Sequence, residues 1–183
     1  MNLGYISRSG GKSATAHSAY IACTKLEEER TGLVFDYSNK KGLLYEGTLA
    51  PEDCPDWVYD KQLLENAVEA FEDNLAQTRF RGHNDPEKNA KSLAKKEKFL
   101  ESCLTGFTAN FALPLEIEKA EDLLDLSQRI IKSCYVQNGL IVRYAIHGDK
   151  GNPHLHILSK ANDVPMTKQG MSIRPYCFIK IDL

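Results

Sequence analysis

Long apolar runs are missing from this sequence of 183 residues. No stretch approaches the roughly 18 consecutive apolar residues that a membrane-spanning helix needs, which excludes an integral membrane protein. The first residues also lack the basic segment followed by an apolar stretch that marks a secretory signal. The five cysteines are far apart and never spaced Cys-x-x-Cys, which disfavours a disulfide framework and a cysteine-based zinc site. We therefore expect a cytoplasmic protein.

A strong excess of charge of one sign is lacking as well, because 23 basic and 25 acidic side chains give a net charge of −2. The distribution is uneven, however. Residues 1–26 hold three basic and no acidic side chains, and residues 128–183 hold eight basic and three acidic ones. A polyanion responds to the local field rather than to the total, so the two ends favour nucleic-acid contact. Acidic helices on a solvated back face would produce the same asymmetry.

The order of elements predicts a single α+β domain with a mainly antiparallel sheet of about five strands and long helices packed on one face. Period-two patterns and turn residues predict strands at 2–7, 33–37, 43–49, 107–113, 139–147 and 153–160. Helical spacing predicts helices over 14–26, 56–76 and 116–137. The turn at 39–42 predicts that 33–37 and 43–49 form a hairpin. Residues 78–105 read as a polar, Lys-rich insertion, which either projects as a solvated helix or lies over a ligand.

Three histidines lie in the last predicted hairpin, which we place at the centre of the sheet. Side chains alternate across a strand, so turning the apolar residues inward brings His147, His154 and His156 together on the other face. Three neutral imidazoles suit a divalent transition metal and leave coordination positions open for substrate. Arg143 shares their face by the same alternation and is a candidate phosphate contact.

A nucleophile candidate lies on the first predicted helix, where Tyr20 is flanked by small residues and follows His17 by about one turn. A phenol has a pKa of about 10 and needs help from a metal, a base or a positive field. Attack on a phosphodiester would store the cleaved bond as a phosphotyrosine ester. Ahead of this helix, Arg8, Lys12 and a Gly-Gly turn lead to the N-cap Ser13 and predict a phosphate cradle.

Taken together, these segments resemble the MobA/MobL-type conjugative relaxases of the HUH endonuclease group. The resemblance lies in the order and spacing of Ser-Arg-Ser-Gly-Gly-Lys-Ser-Ala at 7–14, Ser-Ala-Tyr at 18–20, Glu-Arg-Thr-Gly-Leu-Val-Phe-Asp-Tyr-Ser at 29–38, Phe-Ala-Leu-Pro at 111–114, Ala-Ile-His at 145–147 and Gly-Asn-Pro-His-Leu-His at 151–156. It extends from residue 3 to about residue 160, outside the insertion.

The resemblance implies a bacterial enzyme that nicks one strand at an origin of transfer and stays bound to the 5′ phosphate through a tyrosine. By position, Tyr20 is then the nucleophile, and His147, His154 and His156 hold a divalent ion, Mg²⁺ or Mn²⁺. The implied substrate is single-stranded or hairpin origin DNA, contacted by Arg8, Lys12 and Arg143. Accessory relaxosome proteins and a coupling protein of the transfer machinery are implied partners.

One position departs from the pattern. Relatives often carry an acidic residue two places before Ala-Leu-Pro, where this chain has Asn110. Either Glu46 or another acid then does the work of that carboxylate, or activity is reduced. The sequence therefore leaves two alternatives open: a rolling-circle replication initiator with the same chemistry, and a degenerate, non-catalytic origin-binding module. It also leaves open that residues 1–183 are the N-terminal part of a longer protein with helicase or primase domains.

Overall fold

The computed structural model of the chain describes residues 2–148 and 151–160, which form seven strands and four α-helices. The strands are β1 (Asn2–Ser7), β2 (Lys25–Glu28), β3 (Leu33–Asp36), β4 (Leu43–Leu49), β5 (Leu104–Ala112), β6 (Val142–His147) and β7 (His154–Ser159). The helices are α1 (Ala14–Ile21), α2 (Lys61–Arg79), α3 (Pro86–Ser102) and α4 (Ala120–Cys134). None of these helices is both long and apolar enough to cross a bilayer.

Five strands make one antiparallel sheet in the order β1-β5-β7-β6-β4. Strands β6 and β7 pair with each other at its centre, with His147 opposite His154. The predicted α+β class, the five-stranded antiparallel sheet and the central position of the histidine hairpin are confirmed. A strand in this position has fixed neighbours on both sides, so its side chains are held on a rigid support.

Helices cover both faces of the sheet, whereas the sequence predicted that the long helices share one face. On one face, Leu123 and Ile131 of α4 pack against apolar side chains of β5, β6 and β7. On the other face, α1 packs Ala14 and Ile21 against the central strands. Helix α2 reaches the end of β7 on that second face through an ion pair between Glu65 and Lys160. Side chains of the hairpin on this second face are buried as well. The sequence pattern turned the apolar residues of the hairpin to one face and did not indicate this.

The first helix is shorter than predicted. It ends at Ile21, and Cys23 then adopts a positive φ of 47°, a left-handed conformation that turns the chain out of the helix. The next residues form β2, where Leu26 and Glu28 are buried and the intervening Glu27 is exposed. Pairing with β3 therefore overrides the helical propensity of this segment.

The predicted hairpin of 33–37 with 43–49 is wrong. Strand β3 pairs with β2 in a separate two-stranded sheet, and β4 pairs with β6 of the main sheet. A turn between β3 and β4 is present, at 37–40 instead of 39–42, because Lys40 N donates a hydrogen bond to Tyr37 O at 2.9 Å. It connects two sheets instead of two neighbouring strands, since β3 pairs with β2, the strand just before it in sequence, whereas β4 pairs with β6 far along the chain.

The predicted insertion contains α3, which has no buried residue. Asp85 caps its start by accepting a hydrogen bond from the backbone N–H of Lys88, and Pro86 occupies the first turn. At the base of the α2–α3 pair, Phe80 lies 5.5 Å from Phe99 between ring centroids. Whether this segment stays solvated or lies over a ligand remains a prediction, since an exposed helix is compatible with both.

Candidate metal and nucleophile site

The three predicted imidazoles lie together at one end of the central hairpin. His147 ends β6, and His154 and His156 stand on the same face of β7. Their ring centroids are 4.8 to 5.5 Å apart, and one nitrogen from each ring lies within 4.8 Å of the other two. The predicted juxtaposition of the three side chains is confirmed. Together they can hold a metal ion.

Each imidazole has one nitrogen fixed by an acceptor, and this determines its tautomer. His147 Nε2 donates to Ile21 O at 2.7 Å, His154 Nδ1 to Asn152 O at 2.8 Å, and His156 Nδ1 to Asn110 Oδ1 at 2.7 Å. A carbonyl oxygen only accepts, so the contacted nitrogen carries the proton and the other nitrogen carries the lone pair. In the neutral rings, the nitrogens that carry the lone pairs are thus His147 Nδ1, His154 Nε2 and His156 Nε2. Such outer hydrogen bonds orient metal ligands and raise their basicity.

The surroundings of His156 keep its ring neutral. Burial, reinforced by the neighbouring charges of His147, His154 and Lys40, lowers the pKa of His156 to about 3. Its lone pair is consequently free of a proton throughout the neutral range. A neutral imidazole is the form in which histidine binds metals.

Tyr20 lies at the C-terminal end of α1 beside this cluster. Its side chain is 41% exposed, and its ring meets Tyr37 edge-on with 5.4 Å between centroids. The neighbouring residue Ile21 supplies the carbonyl that accepts from His147. The phenol is therefore accessible and tied through the adjacent peptide to a metal-ligand candidate.

The predicted N-cap Ser13 and the neighbouring His17 have different surroundings. Ser13 caps α1, because its Oγ accepts a hydrogen bond from the backbone N–H of Ala16 at 3.1 Å. His17 is half-buried, and burial, with the nearby charges of Lys160 and Lys40, lowers its pKa. Its Nε2 has no hydrogen-bond partner among the described residues. Ser13 therefore has a structural role, and His17 is a half-buried ring on α1, about one turn before Tyr20.

The glycine turn of the predicted phosphate cradle is present, but Arg8 does not take part in the cradle. Gly11 has a φ of 63°, a conformation that favours glycine, and it ends the short turn before α1. Arg8 points away to α2, where it donates to Glu69 Oε2 at 2.5 Å and to Asp73 Oδ1 at 2.7 Å. Its side chain is only 7% exposed. Lys12 is exposed, so of these two cations only Lys12 is open to a phosphate.

Arg143 and Glu46 pair with each other instead of facing the histidines. Arg143 is buried, with donors to Glu46 Oε2 and Thr48 Oγ1, both at 3.2 Å. The second oxygen of Glu46 accepts from Lys61 at 2.6 Å. The guanidinium is enclosed by these partners, and both carboxylate oxygens are engaged by cations. The alternation placed Arg143 on the correct face but could not show that helices cover that face.

Two contacts at the site were not predicted. Asn110 was singled out only as a departure, yet its amide oxygen orients His156. Lys40 was assigned to a turn, yet its Nζ lies 3.6 Å from the Tyr20 ring centroid and 3.4 Å from His147 Nδ1. The first could have been found from the register, since Asn110 lies opposite His156 on β5. The second had no local signal, because it depends on how the β3–β4 connection passes α1.

Comparison with known proteins gives consistent relatives. The chain is 29% identical to the conjugal transfer protein TraA of Rhizobium radiobacter over 157 residues, covering 84% of this chain and 12% of that protein. It is 30% identical to the probable mobilization protein MobA of Bifidobacterium longum over 166 residues, covering 86% of this chain and 24% of that protein. The chain thus spans less than a quarter of the length of these curated relatives.

A solved structure has the same fold. It is described as "Molecular Basis of Vancomycin Resistance Transfer in Staphylococcus aureus" and matches with a TM-score of 0.66 at 24% identity. The match covers 87% of this chain and 68% of the other. At this identity the likeness concerns the fold alone. The family model described as MobA/MobL family matches residues 12–81 and 88–174, which is most of the sequence. The chain therefore belongs to the MobA/MobL family.

Proposed function

We propose that this chain is the nicking domain of a conjugative relaxase that cuts one DNA strand at an origin of transfer and keeps hold of it. The observation that carries the proposal is the position of the accessible Tyr20 beside the cluster of three histidines. Tyr20 adjoins Ile21, whose carbonyl is hydrogen-bonded to His147. Membership of a family whose members include conjugal transfer and mobilization proteins supports the same conclusion.

In the proposed reaction, Tyr20 Oη attacks a phosphodiester of the origin strand. A bond forms between the phenol oxygen and phosphorus, and the bond between phosphorus and the 3′ oxygen breaks. The 3′ oxygen leaves as a hydroxyl, with the proton that the phenol gives up through solvent. The product is a 5′-phosphotyrosyl strand, which the reverse attack can religate. The exposure of Tyr20 supports this role, because an extended strand must reach the phenol.

The histidine cluster fits a divalent ion. One nitrogen from each of the three rings lies within 4.8 Å of the other two, and a neutral imidazole offers a lone pair to a metal. His147, His154 and His156 would hold the ion, which polarises phosphate oxygens as a Lewis acid when bound. Imidazole donors suit transition ions, while Mg²⁺ prefers oxygen ligands. Of the two ions implied by the resemblance, this donor set favours Mn²⁺.

Substrate contacts are proposed more narrowly than the sequence implied. Lys12 remains a candidate DNA contact because it is exposed at the start of α1. Arg8 and Arg143 are held by carboxylates, so we propose that they support the fold around the site. Glu46 is held by two cations and is not proposed as an acidic helper. Accessory proteins and a coupling protein of the transfer machinery remain proposed partners.

The test is covalent trapping. Wild-type protein incubated with Mn²⁺ and a supercoiled plasmid carrying the origin of the element that encodes it should give a nicked, protein-linked product. Mass spectrometry should find the nucleotide on the peptide that contains Tyr20, and Tyr20→Phe should give no adduct. Tyr59→Phe, at another exposed tyrosine, is the matched control and should retain the adduct.

Other outcomes separate the alternatives. Adduct formation by Tyr20→Phe at the wild-type rate would contradict the proposed nucleophile. Salt-sensitive origin binding that is independent of metal, without any cleavage, would favour a non-catalytic module. Nicking that starts replication of the plasmid instead of its transfer would favour a replication initiator.

A further inference from the structure

Lys40 contacts both Tyr20 and His147. It lies on neither α1, which carries Tyr20, nor β6, which carries His147. It lies in the connection between β3 and β4, half-buried. Its Nζ is 3.6 Å from the Tyr20 ring centroid, 3.4 Å from Tyr20 O and 3.4 Å from His147 Nδ1. Because the same Nζ contacts both, the Tyr20 ring centroid lies at most 7.0 Å from His147 Nδ1. One ammonium group bridges the nucleophile and a metal-ligand candidate.

The contact with His147 uses the lone pair that a metal would need. Because Nε2 of His147 donates to Ile21 O, only Nδ1 is left to accept. An ammonium group has donors and no acceptor, so Lys40 donates to Nδ1. One lone pair serves one partner at a time. Lys40 and a metal ion are therefore exclusive partners of His147.

The charge of Lys40 is also uncompensated. Over residues 2–148 and 151–160, no carboxylate lies within ion-pair distance of its Nζ, whereas Arg8, Lys61, Arg143 and Lys160 each have an acidic partner. A cation that faces a ring and an imidazole attracts an anion to this position. The anion expected beside Tyr20 is the phosphate that the phenol attacks.

We infer that Lys40 is an exchangeable group of the nicking site, which competes with the metal ion for His147 Nδ1 and contacts the scissile phosphate once the ion has displaced it. The phosphate contact rests on the proposed function, and the competition for His147 does not. The two effects have opposite signs: removing the ammonium strengthens metal binding and slows cleavage. A residue that only supported the fold would weaken both.

The experiment measures both quantities in Lys40→Met, which keeps much of the side-chain length and removes the charge. Calorimetric titration of the DNA-free protein with Mn²⁺ should give a dissociation constant lower by on the order of tenfold, since a competitor and a like charge are both removed. Adduct formation with origin DNA at saturating Mn²⁺ should slow by on the order of 10²-fold, as for loss of one stabilising donor. Lys41→Met changes the exposed neighbouring lysine and should leave both quantities at their wild-type values.

The outcomes distinguish the competition from the proposed function. Mn²⁺ binding that is unchanged or weaker in a folded Lys40→Met protein overturns the inference, whatever the nicking result. Tighter binding with a wild-type adduct rate overturns the phosphate contact. If no protein forms an adduct, the proposed function fails, the phosphate contact fails with it, and the Mn²⁺ titration alone decides the competition. Lys40→Leu, which also removes the ammonium group and its donors, gives the same readouts should Lys40→Met not fold.

Discussion

The side-chain amide of Asn110 is hydrogen-bonded to the His156 ring in this chain. Asn110 accepts from His156 Nδ1 at 2.7 Å, so it fixes the ring orientation and leaves Nε2 free for a metal. An uncharged amide orients the ring but cannot take a proton or add negative charge to the ligand set. Asn110 therefore orients the His156 ring as a carboxylate would, but it cannot act as an acid or a base.

Asn110→Ala should weaken Mn²⁺ binding about 10- to 100-fold, because metal affinity depends on the outer hydrogen bond to the ligand. Asn110→Asp should bind at least as tightly as wild type, since a carboxylate accepts the same hydrogen bond and adds charge. Asn152→Ala is the control: its side chain changes, but the backbone carbonyl that accepts from His154 remains. Calorimetric titration with Mn²⁺ measures all three, and equal affinities in Asn110→Ala and wild type would contradict the role.

At the scale of elements, the short helix α1 sets the position of the nucleophile. It has eight residues, too few for stability in isolation, so its cap and its packing hold it in place. Ser13 caps its start, and Ala14 and Ile21 pack against the sheet. Local sequence predicted the cap and the start of the helix. The end was mispredicted, because strand pairing after Cys23 is decided by a partner farther along the chain.

Ser13→Ala should lower the free energy of unfolding by about 1 kcal/mol through loss of the N-cap. Ser133→Ala serves as the comparison, since that exposed hydroxyl contacts only groups within α4, the carbonyls of Arg129 and Ile130 and Cys134 Sγ. Chemical denaturation of both variants measures the difference. Equal stability of Ser13→Ala and wild type would show that packing alone positions the helix.

For the whole molecule, buried ion pairs join α2 to the rest of the fold. Glu65 pairs with Lys160 at the end of β7 at 2.5 Å, and both side chains are almost fully buried. Glu69 and Asp73, farther along α2, hold Arg8 ahead of α1. Helix α2 thus links the strand that carries His154 and His156 to the segment that leads to Tyr20. These contacts are far apart in sequence, and no local pattern indicates them.

Glu65→Ala should destabilise the protein by about 3–5 kcal/mol, because it leaves the buried ammonium of Lys160 without a partner. The double variant Glu65→Leu with Lys160→Met should recover most of this loss, since no buried charge remains. Glu87→Ala breaks the exposed pair with Lys91 and should leave the denaturation midpoint unchanged. A single variant as stable as wild type would contradict the role assigned to the pair.

The sequence by itself determined the fold class, the cap of α1 and the meeting of the three histidines, because alternation along a strand fixes which side chains share a face. It could not determine which strands pair: β3 went to β2, and β4 to β6. Only the tertiary structure decided that Arg8 and Arg143 are enclosed with carboxylates and that Lys40 reaches Tyr20. Periodicity acts over a few residues, whereas burial and ion pairing depend on which distant segments pack together.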